Sequence, residues 1–220
     1  MKRKLCAAAL FAGLAIAPSA LAQAGAGTNA ANDTGPQAHA SASAEAFVAE
    51  NIAQSLAILN NPALTEQQRS LQFETLLLTL TDMKRIAVFT LGPYAKTAPQ
   101  ADQDAFVAAF QIYSEAVYRS YFNRFSGQKL AVTGSSQRAP GDFIVSTRLI
   151  DPNDHSGQAP MVVSFRVRTD AGKPVVTDLG IMGVWLAIAQ RDEFGSYLSA
   201  HGGSVASLTE NVRSVTARYR

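Results

Sequence analysis

The chain has 220 residues, 47% apolar and 16% charged, with 19 Lys and Arg against 17 Asp and Glu. That length holds one domain plus accessory segments. Lys2, Arg3 and Lys4 fall in what reads as a cleaved leader. Without them, 16 basic residues face 17 acidic ones, a net of −1, which argues against general nucleic-acid binding. Cys6 is the only cysteine and lies in the same leader, so the mature chain has no disulfide, thiolate metal site or Cys nucleophile.

The leader has the parts of a signal peptide. Its charged end is followed by an apolar run, Leu5 to Ile16, too short to span a bilayer comfortably. Ala20-Leu21-Ala22 before Gln23 is a small-residue cleavage site, with the cut expected after Ala22. The sequence predicts a disordered linker over residues 23–43, which hold Ala, Gly, Asn, Thr, Ser and Gln with almost nothing large and apolar. A single domain is expected over residues 44–220.

The first helix is expected from Ala44 to Asn60, with Phe47, Ile52, Leu56 and Leu59 near one face and Pro62 ending it. Thr65 and Gln68 form a capping-box pattern for a second helix running to about Leu80. Asp82 is a cap for a short third helix that stops at Gly92-Pro93. Thr97 reads as the cap of a long helix from about Pro99 to Phe125. Phe106, Phe110, Tyr113, Val117 and Tyr121 recur there at spacings of four, three, four and four, one aromatic-rich face.

The pattern then changes to period two. Leu130 to Gln137 is a weak strand. Phe143 to Ile150 sets Phe143, Val145, Thr147 and Leu149 against Ile144, Ser146 and Arg148. Met161 to Thr169 sets Val163, Phe165 and Val167 against Ser164, Arg166 and Arg168. A further strand opens at Val175 and passes through Asp178 and Ile181 to Gly183, where a helix is expected to begin at Val184. That helix stops at His201-Gly202-Gly203, and Ser204 caps a last one. The class is α+β: a twisted antiparallel β-meander of about four strands wrapped by helices.

Catalytic signals are thin. His39, His155 and His201 fall in a linker, a loop and a helix end, poor places for a base beside a nucleophile. Asp151, Asn153, Asp154 and His155 share one loop, but their spacing does not match a calcium loop and such residues serve turns. Asp178 has two readings. In an apolar pocket it would be a general base with a raised pKa. Otherwise it is a structural acid that caps the following turn or pairs with Arg191.

Three segments together resemble a known family. Asp82 to Gly92 (DMKRIAVFTLG) precedes the helix bearing Phe106, Phe110 and Tyr113. The meander ends in Val176-Thr177-Asp178-Leu179. Gly183-Val184-Trp185-Leu186 and Arg191-Asp192-Glu193-Phe194 follow. This order is similar to that of the MlaC, or toluene-tolerance, family of periplasmic lipid-binding ABC-transport components, with its hopanoid-associated HpnM branch especially close. Two positions depart from the family pattern. Trp185 stands where a small polar residue is usual, and Val175 and Val176 stand where a tryptophan is expected.

The resemblance implies an NTF2-like cone with an apolar cavity, and a periplasmic carrier of a phospholipid or hopanoid-type lipid. Its implied partners are an inner-membrane MCE-domain ABC transporter complex and an outer-membrane lipoprotein complex. The residues expected to line or border the cavity are Phe106, Phe110, Tyr113, Phe143, Val145, Val163, Phe165, Val167, Ile181 and Trp185. No catalytic group, metal, cofactor or nucleic acid is expected, and the chain is expected to be a monomer. The alternatives are an enzyme on the same fold with Asp178 as general base, and a scaffold with a filled core that binds only protein partners.

Overall fold

The computed structural model describes residues 36–122, 127–155, 157–169 and 172–219; the side chains of residues 36–38 and 118–122 are not among those described. The leader, its cleavage site and the earlier part of the expected linker lie outside the described residues. So does the expected last stretch of the long helix, up to Phe125.

Helix α1 spans Pro36–Leu59. It therefore takes in the last part of the expected linker and begins eight residues before Ala44. The physical reason is that alanines need no partner of their own to favour a helix. Ala40 also packs against the core beneath it, and Ala44 is fully buried there. Helix α2, Glu66–Leu80, starts on the expected capping box: Gln68 N–H donates to Thr65 Oγ1 at 3.2 Å, and Thr65 N–H donates to Gln68 Oε1 at 2.9 Å. Helix α3, Met83–Thr90, is capped by Asp82, whose carboxylate accepts from Arg85 N–H at 3.0 Å.

Thr97 does not cap the next helix. It closes a short 3-10 turn over Gly92–Lys96, donating its N–H to Tyr94 at 3.2 Å. Helix α4, Gln100–Phe122, instead takes its first bonds on the carbonyl of Pro99, which accepts from Asp102 and Gln103.

The sheet is an antiparallel meander in the order β1-β2-β3-β4-β5: Lys129–Ala139, Asp142–Ile150, Val162–Arg168, Val175–Ile181 and Val184–Trp185. The fifth strand is a departure from the sequence reading, which began a helix at Val184. Met182 (φ 49°) and Gly183 (φ 85°) both take positive φ. Two such residues in a row make the type I′ turn that folds a strand back on its neighbour. Ile181 then pairs with Val184 and Gly180 with Trp185. Helix α5 starts only afterwards, at Leu186, and runs to Ala200; α6 follows over Val205–Thr216. The expected glycine stop and Ser204 cap are both formed: Gly203 N–H reaches Leu198 O at 2.8 Å, and Ser207 N–H reaches Ser204 Oγ at 3.1 Å.

Register fixes the two faces of the sheet. Phe143, Val145 and Thr147 stand opposite Val167, Phe165 and Val163, and these in turn stand opposite Val176, Leu179 and Ile181. Side chains directly opposite share a face. One face is therefore almost wholly apolar. The other carries Asp142, Ser146, Arg148, Ser164, Arg166, Arg168, Asp178 and Gly180, with Ile144, Val162 and Val175 among them.

Candidate lipid-binding site

Among the described residues, most of the buried apolar side chains fall into two clusters. The first is helical. Met83, Ala87 and Leu91 from α3 and its cap meet Phe106, Phe110 and Tyr113 of α4, Phe194 and Leu198 of α5, and Leu208 and Val212 of α6. Its centre is aromatic: the Phe106 ring meets Phe194 edge-on at 5.7 Å and tilts against Phe110 at 5.9 Å. Such pairs contribute beyond their buried area, by about 0.5–1.5 kcal/mol each. The second core is Phe143, Val145 and Val167 under Ala44 and Val48 of α1.

The ten residues expected at the site thus fall into three places. Phe106, Phe110 and Tyr113 are in the helical core, with Phe106 wholly buried. Phe143, Val145, Val163, Phe165, Val167 and Ile181 share the apolar face of the sheet. Trp185 stands apart from both. It pairs with Gly180, which belongs to the polar face, and its ring lies over that glycine; a Cβ at position 180 would come within 3.2–3.3 Å of the ring. Gly180 is therefore a packing position that the sequence reading passed over. Its only signal was an isolated glycine inside a strand, which often marks a close approach.

Cover on the apolar face is uneven. Where α1 lies across it, Phe143, Val145 and Val167 are sealed. Toward β4, Phe165, Leu179 and Ile181 are only half-buried. Phe165 packs against the second core while staying half-buried, and Leu179 and Ile181 continue this partly covered apolar face.

The polar face is held by charge. Asp142, only 4% exposed, accepts from Arg166 Nε at 3.0 Å and Nη2 at 2.7 Å, and lies 3.4 Å from Arg168 Nη1. The bidentate guanidinium holds the Asp142 carboxyl below its ordinary range, against burial that pushes it up. Asp142 was not singled out in the sequence, because nothing in a Gly-Asp turn marks an acid that will be buried beside two arginines.

Asp178, 7% exposed, takes the structural role. Its Oδ1 accepts from Leu179 N–H at 2.8 Å and from Ala187 N–H at 2.9 Å. Helix α5 has Trp185 at its N-cap, with no side-chain cap of its own. Asp178 supplies one from β4, across the β4–β5 hairpin. Burial raises its pKa, and the two N–H donors oppose that rise. Arg191 does something else: its guanidinium sits 5.3 Å over the Phe89 ring, a cation–π contact between α5 and α3.

One further acid is perturbed. Glu193, raised by burial, accepts from Gln190 at 3.1 Å, and the Tyr113 hydroxyl donates to Gln190 at 3.4 Å. In the β2–β3 loop, Asp151 accepts from Asn153 N–H at 2.9 Å and from Gln128 Nε2 at 3.0 Å, the turn role that its sequence suggested.

Comparison with known proteins now bears on this geometry. Residues 49–214 match the sequence profile of the family described as MlaC protein. The chain belongs to the MlaC family. Among solved structures it is similar to a phospholipid-binding protein from Ralstonia solanacearum, determined in complex with a phospholipid. The two superpose with a TM-score of 0.69 at 21% identity, over 80% of this chain and 98% of the other. At that identity the likeness shows a shared fold. Among the described residues, the five-stranded open sheet with six α-helices matches the MlaC phospholipid-binding fold.

Proposed function

We propose that this MlaC-family chain is a periplasmic carrier that encloses the acyl chains of a phospholipid. The observation that carries the reading is the apolar sheet face left only partly covered at Phe165, Leu179 and Ile181, on a fold shared with a protein solved holding a phospholipid. Burial of a methylene is worth about 0.8 kcal/mol, so a diacyl lipid with roughly 30 methylenes costs on the order of 20 kcal/mol to leave in water. A protein that carries one across an aqueous gap must cover the tails. Phe165, Leu179 and Ile181 are the side chains best placed to meet them, with Val163 beside them on the same face. Phe106, Phe110 and Tyr113 are buried in the helical core, where they hold α3, α4, α5 and α6 together.

The work needs an apolar cavity and no catalytic group, so the chain is read as a carrier rather than an enzyme. The lipid would pass between an inner-membrane MCE-domain ABC transporter complex and an outer-membrane lipoprotein complex. A phospholipid is preferred over a hopanoid because the structural relative was solved with one. The deciding experiment is native mass spectrometry of protein purified from periplasm without detergent. A bound mass that fragments to acyl chains is expected. A hopanoid mass would keep the carrier and change the cargo. A clean apo mass that persists after incubation with phospholipid vesicles would overturn the reading.

A further inference from the structure

One end of the sheet exposes five large apolar side chains. Ile150, Met161, Val162 and Val184 are 36–43% exposed, and Met182 is 62% exposed. The backbone draws them together. Leu149 N–H donates to Met161 O at 2.8 Å, and Met182 N–H donates to Val162 O at 2.9 Å. Val162 N–H in turn faces the Met182 sulfur at 3.3 Å.

Met182 is the anomaly among them. It is the one non-glycine among the described residues with positive φ. The first position of a type I′ turn favours Asn, Asp or Gly, and a long apolar side chain there works against the local backbone preference. An apolar tip held in a disfavoured conformation and left in water calls for a partner.

We propose that this rim docks on the surface of a lipid bilayer, a step that rests on the carrier reading and adds where the carrier rests against the membrane that holds the complexes it exchanges lipid with. Three observations favour a bilayer. The backbone groups of the rim named above are already paired, so entering an apolar interface strands none of them. Exposed Arg148 stands opposite Val162 and Lys129 opposite Ile150, long cations able to keep their heads at the headgroup level. Val184 stands opposite Ile181 and so shares its face, which carries the half-covered apolar face out to this rim; docking there brings that face next to the membrane. Asp151 and Asp154 in the adjoining loop offset Lys129 and Arg148. The contact is therefore apolar in origin and tolerates salt.

Trp185 makes the test specific. It is the chain's single tryptophan and follows Val184 directly, so its fluorescence reads out from beside this rim with no other tryptophan to confuse it. The protein is mixed with phosphatidylcholine vesicles carrying brominated acyl chains, and quenching of Trp185 is read at low and high salt. Wild-type protein should be quenched in both. Met182→Asp should lose most of the quenching, several-fold or more, while keeping the fold, since Asp-Gly suits the turn better than Met-Gly. Val162→Thr, nearly isosteric, should lose part of it. Wild-type protein that is never quenched, quenching equal in wild type and Met182→Asp, or quenching that survives removal of the vesicles would each overturn the proposal. Bound lipid is measured on the same samples by native mass spectrometry. Cargo without quenching refutes docking alone, whereas the absence of cargo refutes the carrier reading.

Discussion

Asp178→Ala is the substitution that separates a structural acid from a catalytic one. Asp178 Oδ1 accepts two backbone N–H groups, and the Ala187 bond is buried. A hydrogen bond to a charged group is worth about 1.5–3 kcal/mol, and a stranded buried donor costs about 1–3 kcal/mol. Against this, removing the carboxylate relieves its burial, the largest influence on its pKa. The net loss is about 2 kcal/mol, in the range for losing a helix N-cap. With a urea dependence of about 2 kcal/mol/M for a domain of this size, the unfolding midpoint falls by about 1 M. Asp178→Asn keeps an oxygen acceptor in place, so its loss stays under about 1 kcal/mol. Both variants should retain bound lipid at low denaturant. An unchanged midpoint in Asp178→Ala would refute the capping role. A fully folded Asp178→Asn protein without biological activity would restore the general-base reading.

Other consequences are as direct. Asp142 has a folded pKa below its ordinary 3.8, so its stabilisation is present above that value and is lost as pH falls through the lowered one. Asp142→Asn should therefore flatten the acid limb of stability, at a neutral-pH cost of about 1–2 kcal/mol because Arg166 and Arg168 keep access to water. Asp178 runs the other way: its raised pKa gives stability that is full below 3.8 and lost as pH rises through the folded value, and Asp178→Asn removes that slope in thermal melts across acid pH. Phe106→Ala, at the centre of the helical core, should destabilise by about 3–5 kcal/mol in urea. Ile181→Ser, on the half-covered face, should lower bound lipid in native mass spectra while costing under about 1.5 kcal/mol. Equal losses of stability in these two variants would mean that the face is ordinary core.

Much of the fold was legible because its signals are local. Thr65 with Gln68, Asp82 and Ser204 satisfy backbone donors within three residues, so their caps could be read from spacing. The alternation of Val163, Phe165 and Val167 with Ser164, Arg166 and Arg168 assigned the faces of β3 without knowledge of its neighbours. Thr97 was misread because a capping residue says that a turn of backbone ends or begins there, and not which. The start of α1 was misread because alanine-rich sequence is compatible with both helix and linker until Val48 finds Phe143 and Val145 to cover.

By itself, then, the sequence determined the α+β class, the meander, most helix caps and the apolar identity of one sheet face, since each follows from contacts a few residues apart. Tertiary structure decided the rest. The positive φ at Met182 and Gly183 turned Val184 and Trp185 into a fifth strand and carried Trp185 to the polar face. Long-range packing divided the ten expected lining residues between a sealed helical core, a sheet face only partly covered and that polar face. It also brought Asp142 to two arginines and Asp178 to the start of α5. Which apolar residue is filled in and which is left open depends on what packs opposite, and that partner lies far away in the chain.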